Sequence, residues 1–415
     1  MRIGIIGLGY VGLPLAVAFA EAGHEVVGLD TDARVVERVR KRESTVEDVP
    51  SDRLAALGER LKPTTDHAEL GSCDAVLICV PTPLANHREP DLTYLVDAAT
   101  SLSRVLREGQ LVALESTTYP GTTRERLKPI LEESGLAAGR DFHLAYSPER
   151  IDPGRIDHTI RTTPKVVGGL TDACRDRALE VYREVCDEVV PVSTPEAAEL
   201  SKLLENIFRS VNIALVNELA MLCDRMGIDV WEVVDAAATK PFGFMRFEPG
   251  PGMGGHCLPV DPFYLAFKAR EHDFYTEFIE LAGKINQNQP QFCVRKIERT
   301  LNEVGKPVKG SRILLLGVSY KAGVGDLREA PALKIIRSCR ELGGELAYHD
   351  PHVPELPEFG MRSGDLDEEL ARADLVSVIT AHPEVDYRRV VTDAELVLDF
   401  RGATRGIEAA NLVRL

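Results

Sequence analysis

Near its start the chain reads Gly7-Leu8-Gly9-Tyr10-Val11-Gly12. An apolar run over residues 2–6 precedes it, and a helical apolar pattern from Leu13 to Ala22, closed by Gly23, follows. G-x-G-x-x-G between a strand and a helix commits a chain to the first turn of a βαβ unit in a parallel sheet. Gly7 permits the tight turn, Gly9 lets backbone approach a pyrophosphate, and Gly12 lets the helix pack on the strand. The helix N-terminus then faces the phosphates. A second strand over 24–30 ends in Asp30, an acid placed to accept hydrogen bonds from ribose hydroxyls and to repel a 2′-phosphate. The expected cofactor is NAD rather than NADP, on Gly7, Gly9, Tyr10, Val11, Gly12, Asp30 and the nearby Arg34.

The alternation continues. Strands are expected over 74–80, 111–117 and 142–146, followed by Pro81-Thr82, Thr118-Tyr119-Pro120 and Ser147-Pro148-Glu149-Arg150. Ligands of open α/β sheets bind at the carboxyl ends of strands, which makes Pro81, Thr82, Thr117 and Glu149 site candidates. A length of 415 residues calls for two or three domains. Apolar runs over 312–318, 345–350, 374–380 and 396–402 repeat the N-terminal pattern without its glycine fingerprint. That repeat carries Lys321, Arg328 and Arg401 near strand ends or loops, which suits a different phosphate-bearing ligand. The expected architecture is α/β: two doubly wound Rossmann-like domains, 1–193 and 305–415, joined by a helical middle, 194–304.

The middle opens with Ser193-Thr194-Pro195-Glu196, a helix start signal. Nothing breaks the helix until Gly227, and its leucines cover more than one face. It is expected to bridge the halves and to form a homodimer contact. Lys202 and Asn206, four residues apart, project together from it. A further helical stretch is expected over 263–289. Between the two lies Pro249 to Pro262, with four glycines and four prolines in fourteen residues. Such a loop cannot be helix or strand interior. It carries Cys257 and, four residues on, Asp261.

Composition excludes several classes. Lys+Arg 49 against Asp+Glu 65, a net charge of −16, argues against a nucleic-acid binder. No apolar run approaches a membrane span. The eight cysteines form no C-x-x-C pair, so neither a metal site nor a redox pair is expected; reduced thiols in a cytoplasmic enzyme fit best.

A nucleotide site, a second anion site and a thiol loop between them suggest oxidation through a covalent intermediate. A simple alcohol dehydrogenase, or a silent NAD-binding sensor, has no use for Cys257. Two, one or no NADH per sugar would separate the three readings. The fingerprint, Glu115-Ser116-Thr117, Ser147-Pro148-Glu149-Arg150, Glu199-Leu200-Ser201-Lys202-Leu203-Leu204-Glu205-Asn206, Gly254-Gly255-His256-Cys257-Leu258-Pro259-Val260-Asp261 and Tyr320-Lys321 together resemble the UDP-glucose/GDP-mannose dehydrogenase family, end to end. That resemblance implies a UDP-sugar substrate and makes Cys257 the nucleophile. Lys202 would stabilise oxyanions at C6, with Asn206 beside it. Asp261 and Thr117 would position a water, and Glu149 would assist thioester hydrolysis. Residues 242–255 would wrap the UDP, with Phe247, Gly250 and Gly254 in contact. Arg150, Tyr320, Lys321 and Arg401 join the substrate set; Arg246 would reach a neighbouring subunit's sugar, and Arg328 the cofactor. Val260 stands where UDP-glucose members commonly carry Lys. The whole loop resembles members acting on UDP-N-acetylhexosamines, UDP-N-acetylglucosamine above all, with the N-acetylgalactosamine and N-acetylmannosamine epimers open.

Overall fold

A computed structural model describes residues 1–46, 48–85, 89–151, 158–255 and 258–415. Cys257 therefore lies outside the described residues. The chain divides into two units. One comprises Met1–Glu205 with Phe263–Tyr275, the other Asn206–Pro262 with Thr276–Leu415.

The first unit is built on β1 (Arg2–Ile6), β2 (Glu25–Leu29), β3 (Leu61–Thr64), β4 (Ala75–Ile78), β5 (Leu111–Leu114), β6 (His143–Tyr146), β7 (Lys165–Gly169) and β8 (Val189–Val192). They form one sheet in the order β3-β2-β1-β4-β5-β6-β7-β8. Helices cover both faces, so β4 and β5 are buried at every residue and read as continuous apolar runs. The pairing is parallel except between β6 and β7, where Ala145 faces Gly169 antiparallel. The strands expected over 74–80 and 111–117 are shorter than their apolar runs. The residues beyond them, Cys79 to Thr82 and Glu115 to Thr118, turn into loops at the sheet's carboxyl edge.

The second unit holds β9 (Arg312–Leu316), β10 (Glu345–His349), a two-residue ribbon of β11 (Glu355–Leu356) and β12 (Met361–Arg362), then β13 (Leu375–Val378), β14 (Val397–Asp399) and β15 (Leu412–Arg414). The main sheet runs β10-β9-β13-β14-β15, all parallel. In both units the first strand lies between the second strand and a later one.

One helix of 32 residues, Pro195–Met226, begins in the first unit and ends in the second. The Thr194 hydroxyl caps it by accepting from the Ala197 N–H, 3.2 Å. Gly227, at φ +69°, ends it. Leu203, Ile207, Ala214, Ala220 and Cys223 are buried, while Leu204, Leu215, Leu222 and Met226 are each more than half exposed.

The expected single helix over 263–289 is two. Asp261–Arg270 stops at a turn where Asp273 takes φ +53°, and Glu277–Glu303 follows with Pro290 inside it. A reversed φ at a non-glycine residue cannot continue a helix. Pro290 lacks the N–H that would bond the Asn286 carbonyl, and the glycine loop packs there: a Cβ on Gly252 would sit 3.3 Å from that oxygen.

Candidate active site

In the first unit, Gly7 takes φ +94°, and a Cβ there would lie 2.6 Å from the Cys79 carbonyl oxygen. A Cβ on Gly12 would overlap the Gly7 carbonyl. Both glycines are thus demanded by the chain's own packing. Gly9 differs: among the described residues no atom lies within 4 Å of a Cβ there. Its smallness serves something other than the fold, as close approach of a pyrophosphate requires. The helix Gly12–Glu21 has no side-chain cap and no acid in its first turn, so its positive end is left to an anion. Asp30 accepts from the Leu8 N–H and the Asp32 N–H, both 2.9 Å. These bonds fix its carboxylate beside the turn and leave lone pairs for ribose hydroxyls. The residues present fit a dinucleotide. Arg34 folds back on Asp32, which caps the helix Ala33–Arg40.

At the sheet's carboxyl edge the Thr82 hydroxyl donates to the Thr117 carbonyl, 2.7 Å, and the Tyr264 hydroxyl donates to the Thr82 carbonyl, 2.5 Å. The loops after β4 and β5, with Pro81, Thr82 and Thr117, are thereby tied together. Buried Glu199, on the long helix, accepts from the N–H groups of Gly121 (2.6 Å) and Thr123 (2.9 Å) and from the Thr123 hydroxyl (2.7 Å). Burial pushes its carboxyl up to about 7 against the pull of those donors. One turn further along, Lys202 is only 8% exposed. Its charge helps ionise Glu149.

Glu149 accepts from the N–H groups of Arg150 and Ile151, both 2.7 Å, at one oxygen. Its other oxygen faces Lys165 Nζ at 3.5 Å. Burial opposes ionisation of Glu149, but Lys165, the two amides and Lys202 outweigh it and hold the carboxyl below its usual range. Arg150 pairs with Glu205, 2.8 Å. Lys165 was not among the expected site residues. A lysine heading the otherwise apolar run Lys165-Val166-Val167-Gly168-Gly169 was the available signal.

In the second unit, Asn206 Nδ2 donates to Asp261 Oδ2, 2.5 Å, with both side chains buried. The glycine loop is held by a buried amide chain. The Gly250 N–H donates to Asn217 Oδ1 (3.0 Å), Asn217 Nδ2 to Asn286 Oδ1 (3.1 Å), and Asn286 Nδ2 to the Ser210 carbonyl (2.9 Å). The loop's glycines have a reason beyond ligand approach. A Cβ on Gly250 would overlap the Arg401 guanidinium, and on Gly254 it would lie 2.7 Å from Tyr320 Cβ. The Gly255 N–H donates to the Arg328 carbonyl, 2.9 Å. Tyr320, Arg328 and Arg401 are thus gathered around this loop. Asn217 and Asn286, which do the holding, carry no sequence signal beyond two amides inside helices. Arg246 pairs with Asp235 and Glu248 of its own chain, and Phe247 meets Phe208 edge-on at 5.8 Å. His352, His382 and Glu384 cluster within 4.8 Å. Both His382 ring nitrogens are engaged, by the Gly323 N–H and by Asp350, which leaves no ligand atom on it for a metal.

Three family models match in sequence order. They are the NAD-binding domain (residues 1–186), the central domain (196–288) and the UDP-binding domain (314–406) of the UDP-glucose/GDP-mannose dehydrogenase family. The chain belongs to that family. It is 39% identical over 356 residues to a UDP-N-acetyl-D-glucosamine 6-dehydrogenase of Pseudomonas aeruginosa, covering 85% of this chain and 83% of that one. It is 34% identical to an NDP-N-acetyl-D-galactosaminuronic acid dehydrogenase of Ralstonia solanacearum, covering 96% and 95%. The solved structure of a UDP-D-ManNAc dehydrogenase from Pyrococcus horikoshii superposes with a TM-score of 0.92 at 32% identity, covering 100% and 99%. As a member of the UDP-glucose/GDP-mannose dehydrogenase family, the chain is an NAD-dependent nucleotide-sugar dehydrogenase, an α/β oxidoreductase. Among the described residues, no helix is long and apolar enough to cross a membrane.

Proposed function

We propose that this enzyme oxidises the C6 alcohol of a UDP-N-acetylhexosamine, UDP-N-acetylglucosamine first, to the uronic acid by removing four electrons. NAD, when bound, accepts a hydride in each of two oxidations. The Cys257 thiolate adds to the C6 aldehyde as a thiohemiacetal, whose oxidised form is a thioester. Lys202 faces the oxyanions that develop at C6, and Asn206 holds Asp261, which with Thr117 positions the water. Glu149 takes a proton from that water as it attacks the thioester. The Gly250–Gly255 loop, Arg150, Phe247, Tyr320, Lys321 and Arg401 hold the UDP-sugar. Arg246 serves a neighbouring subunit's sugar, and Arg328, Tyr10, Val11, Arg34 and Pro81 complete the cofactor site. Domains of 1–193, 194–304 and 305–415 would carry cofactor, catalytic loop and UDP-sugar.

The observation that carries this reading is Lys202. It is buried at 8% exposure, its charge acts on the Glu149 carboxylate, and it makes no direct hydrogen bond or ion pair among the described residues. An ammonium so little exposed, beside a carboxylate but with no direct partner among the described residues, is costly in a merely structural role. It is well placed to meet negative charge that arises only during reaction. The exposed stripe Leu200, Leu204, Phe208, Leu215 and Leu222 lies on one helix at spacings of four and seven, and a second copy of this chain would cover it. The seven cysteines among the described residues are buried and form no disulfide, in agreement with a reducing, cytoplasmic setting.

The test is turnover on a panel of UDP-sugars with NADH and acid counted together. Two NADH per acid are expected, with kcat/KM for UDP-N-acetylglucosamine at least about tenfold above UDP-glucose, or roughly 1.4 kcal/mol. Equal turnover of UDP-glucose would defeat the N-acetylhexosamine assignment. Near-normal turnover by Cys257→Ala would defeat the covalent route.

A further inference from the structure

The first unit buries a charge cluster that the reaction scheme leaves mostly unused. Lys165, at the head of β7, is 5% exposed, and its Nζ lies 2.6 Å from Glu115 Oε2. The other Glu115 oxygen accepts from the Tyr182 hydroxyl, 2.5 Å. Glu115, just past β5, is therefore engaged at both oxygens and fully buried. Glu149 is the second carboxylate on Lys165 and the member of the cluster that reaches solvent, its side chain 15% exposed against 0% and 6% for Glu115 and Lys165. One cation between two carboxylates leaves one negative charge in excess. Only Glu149 can bring that charge to a water.

We propose that Lys165 is a positioning residue for the hydrolytic half of the reaction, holding the Glu149 carboxylate where it can take a proton from the attacking water. The inference rests on the thioester reading above. In that step the water oxygen bonds to the acyl carbon and the carbon–sulfur bond breaks. The electron pair leaves with the Cys257 sulfur, and the water's proton goes to Glu149. No oxidation state changes. The geometry suits the task. Glu149 Oε1 is pinned by two backbone N–H groups, while Oε2 meets Lys165 at 3.5 Å, too long to claim that oxygen fully.

Without the ammonium, Glu149 keeps the burial that opposes its ionisation and loses the cation that does most to offset it, so its carboxyl moves toward the protonated form whether or not Glu115 is charged. A protonated Glu149 cannot accept another. The groups facing it are Glu115 from the β5 end, Lys165 from β7, Lys202 from the long helix and the amides of its own loop. Tyr182 bonds Glu115 on the far side, and the charges of this cluster also act on the buried thiols Cys79 and Cys186.

Lys165→Met alone leaves two buried carboxylates and risks the fold, so the decisive protein is Lys165→Met combined with Glu115→Gln, which keeps the cluster's net charge. Wild type, this double variant and Glu149→Gln are mixed with NAD and whichever UDP-hexosamine wild type oxidises, then quenched and weighed by intact-mass spectrometry. The double variant should melt like wild type and release its first NADH at the wild-type rate. It should accumulate the acyl-enzyme, with hydrolysis slowed at least about tenfold, a part of the roughly 10²–10⁴-fold that a well-positioned general base contributes. The acid limb of its hydrolysis pH profile should move upward. Unchanged hydrolysis, or equal slowing of every step, overturns the inference. Accumulation in Glu149→Gln but not in the double variant removes Lys165 alone. No accumulation in Glu149→Gln removes the role given to Glu149, and this inference with it.

Discussion

The two Rossmann-like sheets begin alike and then part. After β1, Gly7 at φ +94° turns against the Cys79 carbonyl beyond β4; after β9, Gly317 at φ +76° turns against the Thr380 carbonyl beyond β13. After β2, Asp30 accepts from the Leu8 N–H of that first turn. After β10, Asp350 accepts from the Val318 N–H, 2.7 Å, and the Ser319 N–H, 3.2 Å, of its own. Here the likeness ends. Asp30 is partly exposed and keeps lone pairs for a ribose. Asp350 is 2% exposed and also accepts from the N–H groups of His352 and Val353 and from His382 Nε2. His382 Nδ1 faces the Gly323 N–H, 3.2 Å, and its Nε2 faces Asp350, 3.1 Å, so the ring ties the two together. The same frame thus reads a nucleotide in one unit and locks a loop in the other. That loop, Ser319 to Ala330, carries Tyr320, Lys321 and Arg328 where the first unit starts a helix at Gly12.

The largest expected effect tests the shared part. Gly7→Ala and Gly317→Ala each force a side chain into a reversed φ and against a backbone carbonyl, at about 3 kcal/mol or more. Thermal melts should show both variants strongly destabilised. A mild shift in either would mean the turns are not equivalent. Next is the locked acid. Asp350→Ala leaves four N–H groups, three of them buried, and His382 without their acceptor, which should cost about 2–3 kcal/mol in denaturant titration. NAD affinity should not change, and a large loss of NAD binding would break the division of labour.

The open acid should behave the other way. Asp30→Ala should weaken NAD binding about tenfold, roughly 1.4 kcal/mol, with a smaller change in melting temperature. Gly9→Val should likewise cost NAD binding and leave the melt in place, since no atom of the described residues meets its Cβ. Calorimetry with NAD, alongside melts, separates binding from folding in both variants.

The smallest effect contrasts two buried acids by pH. Burial opposes ionisation of Asp350, but His382 and the backbone N–H groups hold its carboxyl below the usual range. Its stabilisation is present above its ordinary pKa of 3.8 and is lost as pH falls through the lower folded value. Glu199 has the opposite sign. Raised from 4.5 to about 7, its contribution is full below 4.5 and is lost as pH rises through about 7. Relative to Glu199→Gln, wild type should therefore lose roughly 2 kcal/mol between pH 5 and pH 7. A difference that grows with pH instead would mean the three donors outweigh burial.

Much of this was legible in the linear chain because it rests on local rules. Gly7, Gly9, Gly12 and Asp30 sit at fixed offsets from one strand. Thr194, Pro195 and Gly227 bound the long helix through capping chemistry alone. Buried strands of a parallel sheet must be apolar throughout, which is why β1, β4, β5, β9 and β13 stand out as runs. The family followed from motifs spread along the whole length. The break at Asp273 was not legible, because a non-glycine residue at positive φ leaves no mark in composition. Nor was the antiparallel joint between β6 and β7, since strand direction depends on where the connection returns.

What the sequence determined by itself was the nucleotide turn, the two-sheet α/β plan, the long helix and the thiol loop. Each needs only neighbours in the chain. What the tertiary structure decided was which charges are shared over long separations. Lys165 meets Glu115 fifty residues away, Glu199 holds a turn seventy-six residues back, and Asn217 reaches Asn286 to fix Gly250. A polar side chain can be buried only if a partner arrives with it, and which partner arrives is a property of the packed sheet edges and helix faces, not of the order of residues.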